Sequence, residues 1–248
     1  YKVGGYIAIC NATLEDSDIA LASEIIDALG QAIGYALDKA IIYGTGTKMP
    51  LGFVTRLAQT TAPSEYPASA RPWEDLSTSN ILTIPAADSA GTKLYQRIIK
   101  ASGAAKSKNS TGNKFWVMNE KTHTTLLAEA LTINASGAIV SGQNMTMPVI
   151  GGPIEILDFI PDDNIVGGYG DRYLLAERAG TNIAQSEHVR FIEDQTVFKA
   201  TARYDGQPVF AESFVAIGIS GTAPTTAMNF AEDAANQTPS LTKEGAGE

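Results

Sequence analysis

The sequence predicts an α+β fold, and two observations support this class. The first is a single long amphipathic segment near the start of the chain, residues 17–43, in which apolar residues recur at i, i+3, i+4 and i+7. The second is the order of the elements. A strand precedes this helix, a mixed segment of helices and strands follows it, and the C-terminal part returns to strands.

The chain opens on a predicted strand. Residues 5–10 are apolar, and residues 11–17 read as a polar connector that leads into the long helix. Asp16 or Ser17 is in position to cap the first turn of that helix. Further acidic residues crowd this end, where the helix dipole favours negative charge.

The long helix is predicted to run from Ser17 to Tyr43, a length of about 40 Å at about 1.5 Å per residue. Gly30 and Gly34 lie inside it and cost about 1 kcal/mol each relative to alanine. Their spacing indicates either the close approach of another backbone or a mild local weakness. One apolar stripe is formed by Ala22, Ile25, Ile26, Leu29, Ile33, Ala36, Leu37, Ala40 and Ile41.

The middle of the chain predicts a loop-rich excursion and then a compact mixed segment. Residues 58–85 are rich in Thr, Ser, Ala and Pro and show little periodicity. Helices are predicted at 88–101 and 119–131, the second capped by Asn119. Between them lie a basic polar loop and a buried strand, at 106–114 and 115–118.

The C-terminal part predicts strands followed by a tail. Residues 197–204 alternate, with Phe198, Ala200, Ala202 and Tyr204 on one face, which is typical of a half-buried strand. The other predicted elements are two β-like segments at 151–160 and 165–176, the turn at 161–164 between them, a final strand at 210–218 and a flexible tail at 222–248.

Composition narrows the function classes. The chain has 248 residues, of which 44% are hydrophobic and 18% charged, and its net charge is −9. This balance argues against a nucleic-acid-binding surface, which needs clustered Lys and Arg. The acidic net charge is also explained by solubility alone. No apolar run approaches the roughly 18 residues that a membrane span needs.

The sequence predicts no catalytic, cofactor-binding or metal-ligating residues. Cys10 is the sole cysteine, so it cannot form an internal disulfide, and we interpret it as a small buried hydrophobic residue. His123 and His188 are the only histidines, and neither lies beside a recognisable nucleophile. Trp73 and Trp116 are interpreted as core or interface anchors.

Two further motifs have non-catalytic interpretations. Gly44-Thr-Gly-Thr-Lys48 suggests a phosphate loop, but Met49 follows the lysine and the glycines come after a helix instead of before one. A helix C-cap followed by a turn explains it. The carboxylate pairs Asp162/Asp163 and Glu232/Asp233 lie in turn or tail sequence and predict solvated charge.

Several segments together resemble the major capsid proteins of tailed phages, the family with the Hong Kong 97 phage capsid fold. Residues 40–53, an apolar pair followed by Gly-x-Gly and then Pro-x-Gly, are similar to the end of that family's spine helix. The resemblance extends over about residues 5–220 and rests on order and spacing. Its other segments are 115–119, 158–161, 170–173, 177–180, 194–206 and 211–217.

The resemblance implies a specific domain layout. The peripheral domain, with the spine helix and a long sheet, would comprise residues 1–59 and 171–205. The inserted axial domain would comprise residues 60–170 and 206–221, with the tail at 222–248. The family's N-terminal arm and extended loop would precede Tyr1, so we expect this chain to fold but to assemble poorly by itself.

The resemblance also implies a function. The chain would be the major capsid protein that self-assembles, through pentamers and hexamers, into an icosahedral phage or prophage shell around double-stranded DNA. It would be non-enzymatic and without cofactor or membrane contact, and an acidic wall would avoid adhering to its DNA. Scaffold, portal and decoration proteins are the implied partners. The virion is the implied location, after assembly in the bacterial host cytoplasm.

Particular residues follow from the same resemblance. Loop tips 106–114 and 137–147 would contact neighbouring copies, or else be mobile surface loops. Some family members cross-link their shells through a lysine and an asparagine with a nearby acid. The asparagine and the acid align near Asp194 and Thr201, which do not suit that chemistry, so no isopeptide cross-linking is expected.

Two alternatives remain open at the level of sequence. An encapsulin-type nanocompartment shell shares the fold but packages an enzyme. A small-molecule-binding or enzymatic α+β domain is the alternative from another class.

Overall fold

The computed structural model of the protein describes residues 1–16, 20–64, 66–133, 146–147 and 150–230. Within them lie five α-helices and eight strands. The helices are α1 (Asn11–Glu15), α2 (Leu21–Tyr43), α3 (Phe53–Ala58), α4 (Gly91–Ser102) and α5 (Glu120–Ile133). The strands are β1 (Lys2–Cys10), β2 (Ile81–Thr83), β3 (Lys114–Met118), β4 (Ile154–Ile156), β5 (Asn164–Tyr169), β6 (Tyr173–Arg190), β7 (Gln195–Pro208) and β8 (Phe214–Gly218).

The chain divides into two compact units. The helix–sheet unit comprises Tyr1–Asp38 and Ala176–Asp205, with the described residues from Met228. The five-stranded unit comprises Lys39–Leu175 and Gly206–Ala227. This division groups residues 39–59 with the five-stranded unit, whereas the predicted peripheral domain includes them.

The helix–sheet unit is one helix packed on a three-stranded sheet of order β1-β7-β6. Strands β1 and β7 are antiparallel, with Lys2 opposite Arg203 and Cys10 opposite Gln195. Residues 197–204 of β7 alternate between a buried and a more exposed face, as predicted, and Ala200 and Ala202 of the buried face pack against Ile33 of α2. One buried cluster of this unit contains Ile33, Ala200 and Ala202, and Ile25 and Phe198 are buried as well. The partly buried residues packed against this cluster are Val3, Leu29, Ile183 and Tyr204.

The start of the chain differs from the prediction in three places. The predicted polar connector contains the short helix α1, and Asp16 ends this helix instead of capping the next one. Ser17 lies outside the described residues, so α2 is described from Leu21 onward. Cys10 is exposed instead of buried, because it falls on the β1 positions that alternate away from α2.

Strand β6 is far longer than the sequence predicts. The predicted β-like segment ended at residue 176, yet β6 runs on to Arg190. Almost all of its side chains are exposed, so no buried face imposes a two-residue hydrophobic period on the sequence. Ile183 is the β6 side chain that packs against the core of the unit.

The five-stranded unit is built on a mixed sheet of order β2-β8-β5-β3-β4. Strand β5 lies between β3 and β8 and is antiparallel to both. Trp116, Leu94 and Leu126 bring β3, α4 and α5 into one buried cluster. Phe53 of α3 stacks on Phe214 of β8 with ring centroids 4.7 Å apart.

Most predicted elements of this unit are confirmed, with shifted boundaries. The predicted helices at 88–101 and 119–131 are α4 and α5, and Asn119 caps α5 by accepting a 2.8 Å hydrogen bond from the Thr122 N–H. The predicted strand at 210–218 is shorter, because a 3₁₀ turn at Ala211–Ser213 precedes β8. Strand β2 lies inside the predicted loop-rich excursion.

The glycine-rich segment after α2 is a helix end and a turn, as predicted. The Gly44 N–H donates to the Ala40 carbonyl over 2.8 Å, which continues the helical bonding by one residue. A Cβ at Gly44 would lie 2.2 Å from the Pro50 carbonyl oxygen, so only glycine fits there. By contrast, a Cβ at Gly30 or Gly34 would meet no neighbouring atom within 4 Å. Of the two interpretations of these glycines, this favours a mild local weakness of the helix over the close approach of another backbone.

Candidate functional site

The clearest candidate for a functional surface is the turn between β6 and β7. We call residues Val189, Phe191 and Ile192 the apolar tip. They are 72%, 78% and 99% exposed, respectively. Contiguous apolar side chains in open solvent are unfavourable for an isolated protein and are typical of contact surfaces.

Asn11 connects the base of this turn to the other edge of the sheet. Its N–H donates to the Asp194 carbonyl over 3.0 Å, and its Nδ2 donates to Asp194 Oδ1 over 2.7 Å. Thr196 Oγ1 donates in turn to Asn11 Oδ1 over 2.6 Å. Asp194 has a positive φ of 51°, a backbone conformation that Asp tolerates better than most residues and that these bonds help to hold.

Arg190, beside the apolar tip, is paired locally. Arg190 Nη1 contacts Gln195 Oε1 at 3.0 Å and Glu193 Oε2 at 3.1 Å. The Asp194 N–H donates to the Phe191 carbonyl over 3.2 Å and closes the turn. These bonds order the backbone that carries the apolar side chains, and a pre-ordered backbone loses less entropy when a partner binds.

A second ordered cluster, in the five-stranded unit, surrounds Glu212. This side chain is almost fully buried, and its Oε1 lies 3.1 Å from Arg71 Nη1 and 3.5 Å from Lys108 Nζ. Burial by itself raises the pKa of Glu212. A backbone hydrogen bond and the positive charges of Arg71 and Lys108 outweigh that effect, so the pKa lies below its usual value.

This cluster fastens the loop-rich excursion to the rest of its unit. Arg71 Nη2 donates to the Val209 carbonyl over 3.3 Å, and its guanidinium lies 4.7 Å from the centre of the Phe210 ring. Arg56 stacks over Trp73 at 3.4 Å. The arrangement contains no nucleophile beside a base, so we interpret it as a structural anchor.

The predicted loop tip at 106–114 is bonded to the same region. The Lys106 N–H donates to the Glu212 carbonyl over 2.8 Å, and Ser110 Oγ donates to Asp171 Oδ1 over 2.6 Å. Its role as a contact between copies stays a prediction. In the other predicted loop tip, residues 137–145 lie outside the described part of the chain.

The residues considered for chemistry are dispersed. His123 is buried on α5 and His188 is exposed on β6, in different units. Asp162 accepts hydrogen bonds from Asn119 and Lys121, so it is paired instead of merely solvated. The bonds from Lys121 and then Asn119 hold the pKa of Asp162 below its usual value. Glu232 and Asp233 lie beyond the described residues.

The described residues form neither a metal-binding cluster nor a membrane-spanning helix. No group of three or more His, Cys, Asp or Glu side chains is placed to hold a metal ion in that part of the chain. None of the helices described there combines the length and apolarity needed to cross a membrane.

An α+β fold that carries an outward-facing apolar turn is typical of a subunit that contacts other proteins. The sequence matches the profile of the phage capsid family over residues 1–219, and the chain belongs to that family. No curated protein matches the chain at a significant level.

Solved capsid structures share the fold at low sequence identity. The capsid of a native GTA particle is 18% identical with a TM-score of 0.60, and the match covers 89% of this chain and 72% of that chain. The match to Microbacterium phage Oxtober96 is 15% identical with a TM-score of 0.64, covering 88% and 72%. The capsid of cyanophage P-SCSP1u is 13% identical with a TM-score of 0.59, covering 89% and 72%.

The predicted capsid fold is therefore confirmed. Family and fold together make the chain a major capsid protein, a structural subunit of a virion shell, and they do not favour the encapsulin alternative. The apolar tip was missed at the level of sequence. The signal was present, because Phe191-Ile192 directly precedes the acidic pair Glu193-Asp194 of a turn.

Proposed function

We propose that copies of this chain associate through the apolar tip to form the pentamers and hexamers of an icosahedral shell that encloses double-stranded DNA. The observation that carries this proposal is the 99% exposure of Ile192 on a turn held by hydrogen bonds. An ordered turn keeps its apolar side chains in solvent at a free-energy cost unless a partner covers them.

The energy available at such a contact is modest per copy. Covering a fully exposed Phe or Ile side chain contributes about 1.5–3 kcal/mol. A shell repeats the same contact at every subunit, and simultaneous contacts to several neighbours multiply in their effect. Individually weak contacts between subunits can therefore hold a closed shell together.

The remaining roles extend this proposal. Residues 1–59 and 171–205 would act as the peripheral domain, and residues 60–170 and 206–221 as the axial domain that meets its copies around the capsomer axis. The net charge of −9 supports an enclosure that does not bind DNA sequence-specifically. Scaffold, portal and decoration proteins would be further partners, with assembly in the bacterial host cytoplasm. No catalytic activity is part of the proposed role.

The test replaces the apolar tip with polar side chains. A Phe191→Ser/Ile192→Ser variant should keep its thermal midpoint, and in sedimentation velocity it should lose the weak self-association that the original chain shows. Leu174→Ser is the matched control, since Leu174 is an exposed apolar residue of β6 away from the tip. Undiminished self-association of the tip variant would contradict the proposal.

A further inference from the structure

The three-stranded sheet of the helix–sheet unit has one face that does not pack on α2. Val3 and Ile7 of β1 lie opposite Ala202 and Phe198 of β7, and these four residues share the helix side. Strand alternation places the intervening residues on the other face. We call this the outer sheet face, and it carries Lys2, Tyr6, Lys199 and Arg203.

Positive charge is concentrated on and beside the outer sheet face. Lys2 lies directly opposite Arg203, and Lys199 lies opposite the exposed Tyr6. Lys2, Arg203 and Arg178 of β6 line one open groove of about 610 Å³, together with Glu177 and Asp205.

These cations lack partners within the described chain. Lys2, Arg178, Lys199 and Arg203 are exposed, and none of them forms an ion pair with a described carboxylate. Like charges directly opposite each other destabilise an antiparallel pair. The Lys2–Arg203 pair is therefore unfavourable in the isolated subunit and would be relieved by an anionic partner.

The helices of the same unit carry the complementary charge. Glu15, Asp16, Glu24 and Asp27 are exposed on α1, at its end and on the first turns of α2, and we call them the acidic helix surface. None of them forms an ion pair with a described cation. The described part of α1 and the portion of α2 within this unit contain no Lys or Arg.

We propose that the outer sheet face of one copy contacts the acidic helix surface of a neighbouring copy. This inference rests on the proposed shell function. Two different, complementary patches on one chain produce a head-to-tail contact, which is the kind that closes into rings. A nucleic-acid partner would neutralise the cations but leave the four unpaired carboxylates without a role.

Charge complementarity at exposed positions governs association rate and partner choice more than affinity. The contact should therefore weaken steeply with ionic strength, because charges farther apart than about 8 Å are screened at physiological salt. This salt dependence distinguishes it from the apolar tip, whose contact should be nearly insensitive to salt.

The experiment is a charge swap in the full 248-residue chain, with self-association measured by sedimentation velocity. Lys199→Glu/Arg203→Glu and Glu24→Lys/Asp27→Lys should each weaken association by about tenfold or more at about 50 mM salt. The chain that combines all four substitutions should regain near-original association. An equal mixture of the two double variants should also regain association. In that mixture, the acidic sheet face of one variant meets the basic helix surface of the other.

Several outcomes would overturn the inference. The first is a combined variant that self-associates as weakly as the double variants. The second is a pair of double variants that associate like the original chain. The third is an original chain that stays monomeric at every salt concentration. If the Lys199→Glu/Arg203→Glu variant no longer binds double-stranded DNA, and the combined variant does not regain self-association, the outer sheet face would be assigned to nucleic acid instead. If only the apolar-tip variant abolishes assembly, this inference fails while the proposed function stands.

Discussion

The two units of this protein differ in how much of their surface they bury by themselves. The five-stranded unit has a deep core in which Trp116, Met118 and Phe214 are completely inaccessible. The helix–sheet unit buries a small cluster of Ile33, Ala200 and Ala202 together with Ile25 and Phe198, and it leaves most of β6 exposed. The five-stranded unit therefore has the larger buried core, whereas the helix–sheet unit presents apolar and charged surface that a neighbouring subunit can cover.

The largest expected effect comes from breaking the deeper core. Trp116→Ala should lower the free energy of unfolding by about 3–5 kcal/mol, because it removes a fully buried indole and leaves a cavity. Ile33→Ala in the smaller core should cost about 2 kcal/mol, near the lower end for such changes. Urea unfolding measures both values. Equal losses in the free energy of unfolding would show that the two cores contribute alike to stability.

The next effect concerns the anchor in the five-stranded unit. Glu212→Gln should cost about 1–3 kcal/mol, because Arg71 and Lys108 lose the carboxylate they share. Glu155→Gln, on an exposed position of β4, is the matched control and should change little.

This anchor also predicts a pH dependence. The pKa of Glu212 is lower in the folded state than in the unfolded chain, so its contribution is complete above the unfolded value of about 4.3. It is lost as the pH falls through the folded pKa. Unfolding curves of the original chain and Glu212→Gln should therefore converge in strong acid. A constant difference at all pH values would contradict the assigned ion pairs.

A smaller effect is expected at the base of the apolar tip. Asn11→Ala removes its side-chain bonds with Asp194 and Thr196, and should cost about 1 kcal/mol. Hydrogen exchange should become faster at residues 191–196 and remain unchanged in the five-stranded unit. Asn182→Ala on exposed β6 is the control. Unchanged exchange at the turn would show that Asn11 does not hold it.

The smallest effect is expected at Cys10. Because this side chain is exposed on the outer sheet face, Cys10→Ser should change the free energy of unfolding by less than about 0.5 kcal/mol. The thiol of the folded original chain should react with a thiol reagent without denaturant. A thiol that reacts only after unfolding would restore the interpretation of Cys10 as a buried residue.

Much of the fold was accessible from local sequence patterns. The apolar stripe predicted α2, the alternation around Phe198 predicted β7, and Asn119 predicted the start of α5. The first two patterns arise because one face of the helix or strand is buried, so that apolar residues recur along the sequence at a fixed spacing. Helix α1 and the part of strand β6 beyond residue 176 were not predicted, because exposed elements carry no such period.

The sequence by itself determined the elements that bury a face, the helix end at Gly44 and, through the order of its motifs, the capsid family. Only the tertiary structure brought Asn11 to Asp194, and Glu212 to Arg71 and Lys108. It also separated the cations of the outer sheet face from the carboxylates of α1 and α2. These contacts join residues that are far apart in the chain, and strand pairing decides which of them meet. The hydrophobic period of the sequence carries information only about residues within one helix or strand.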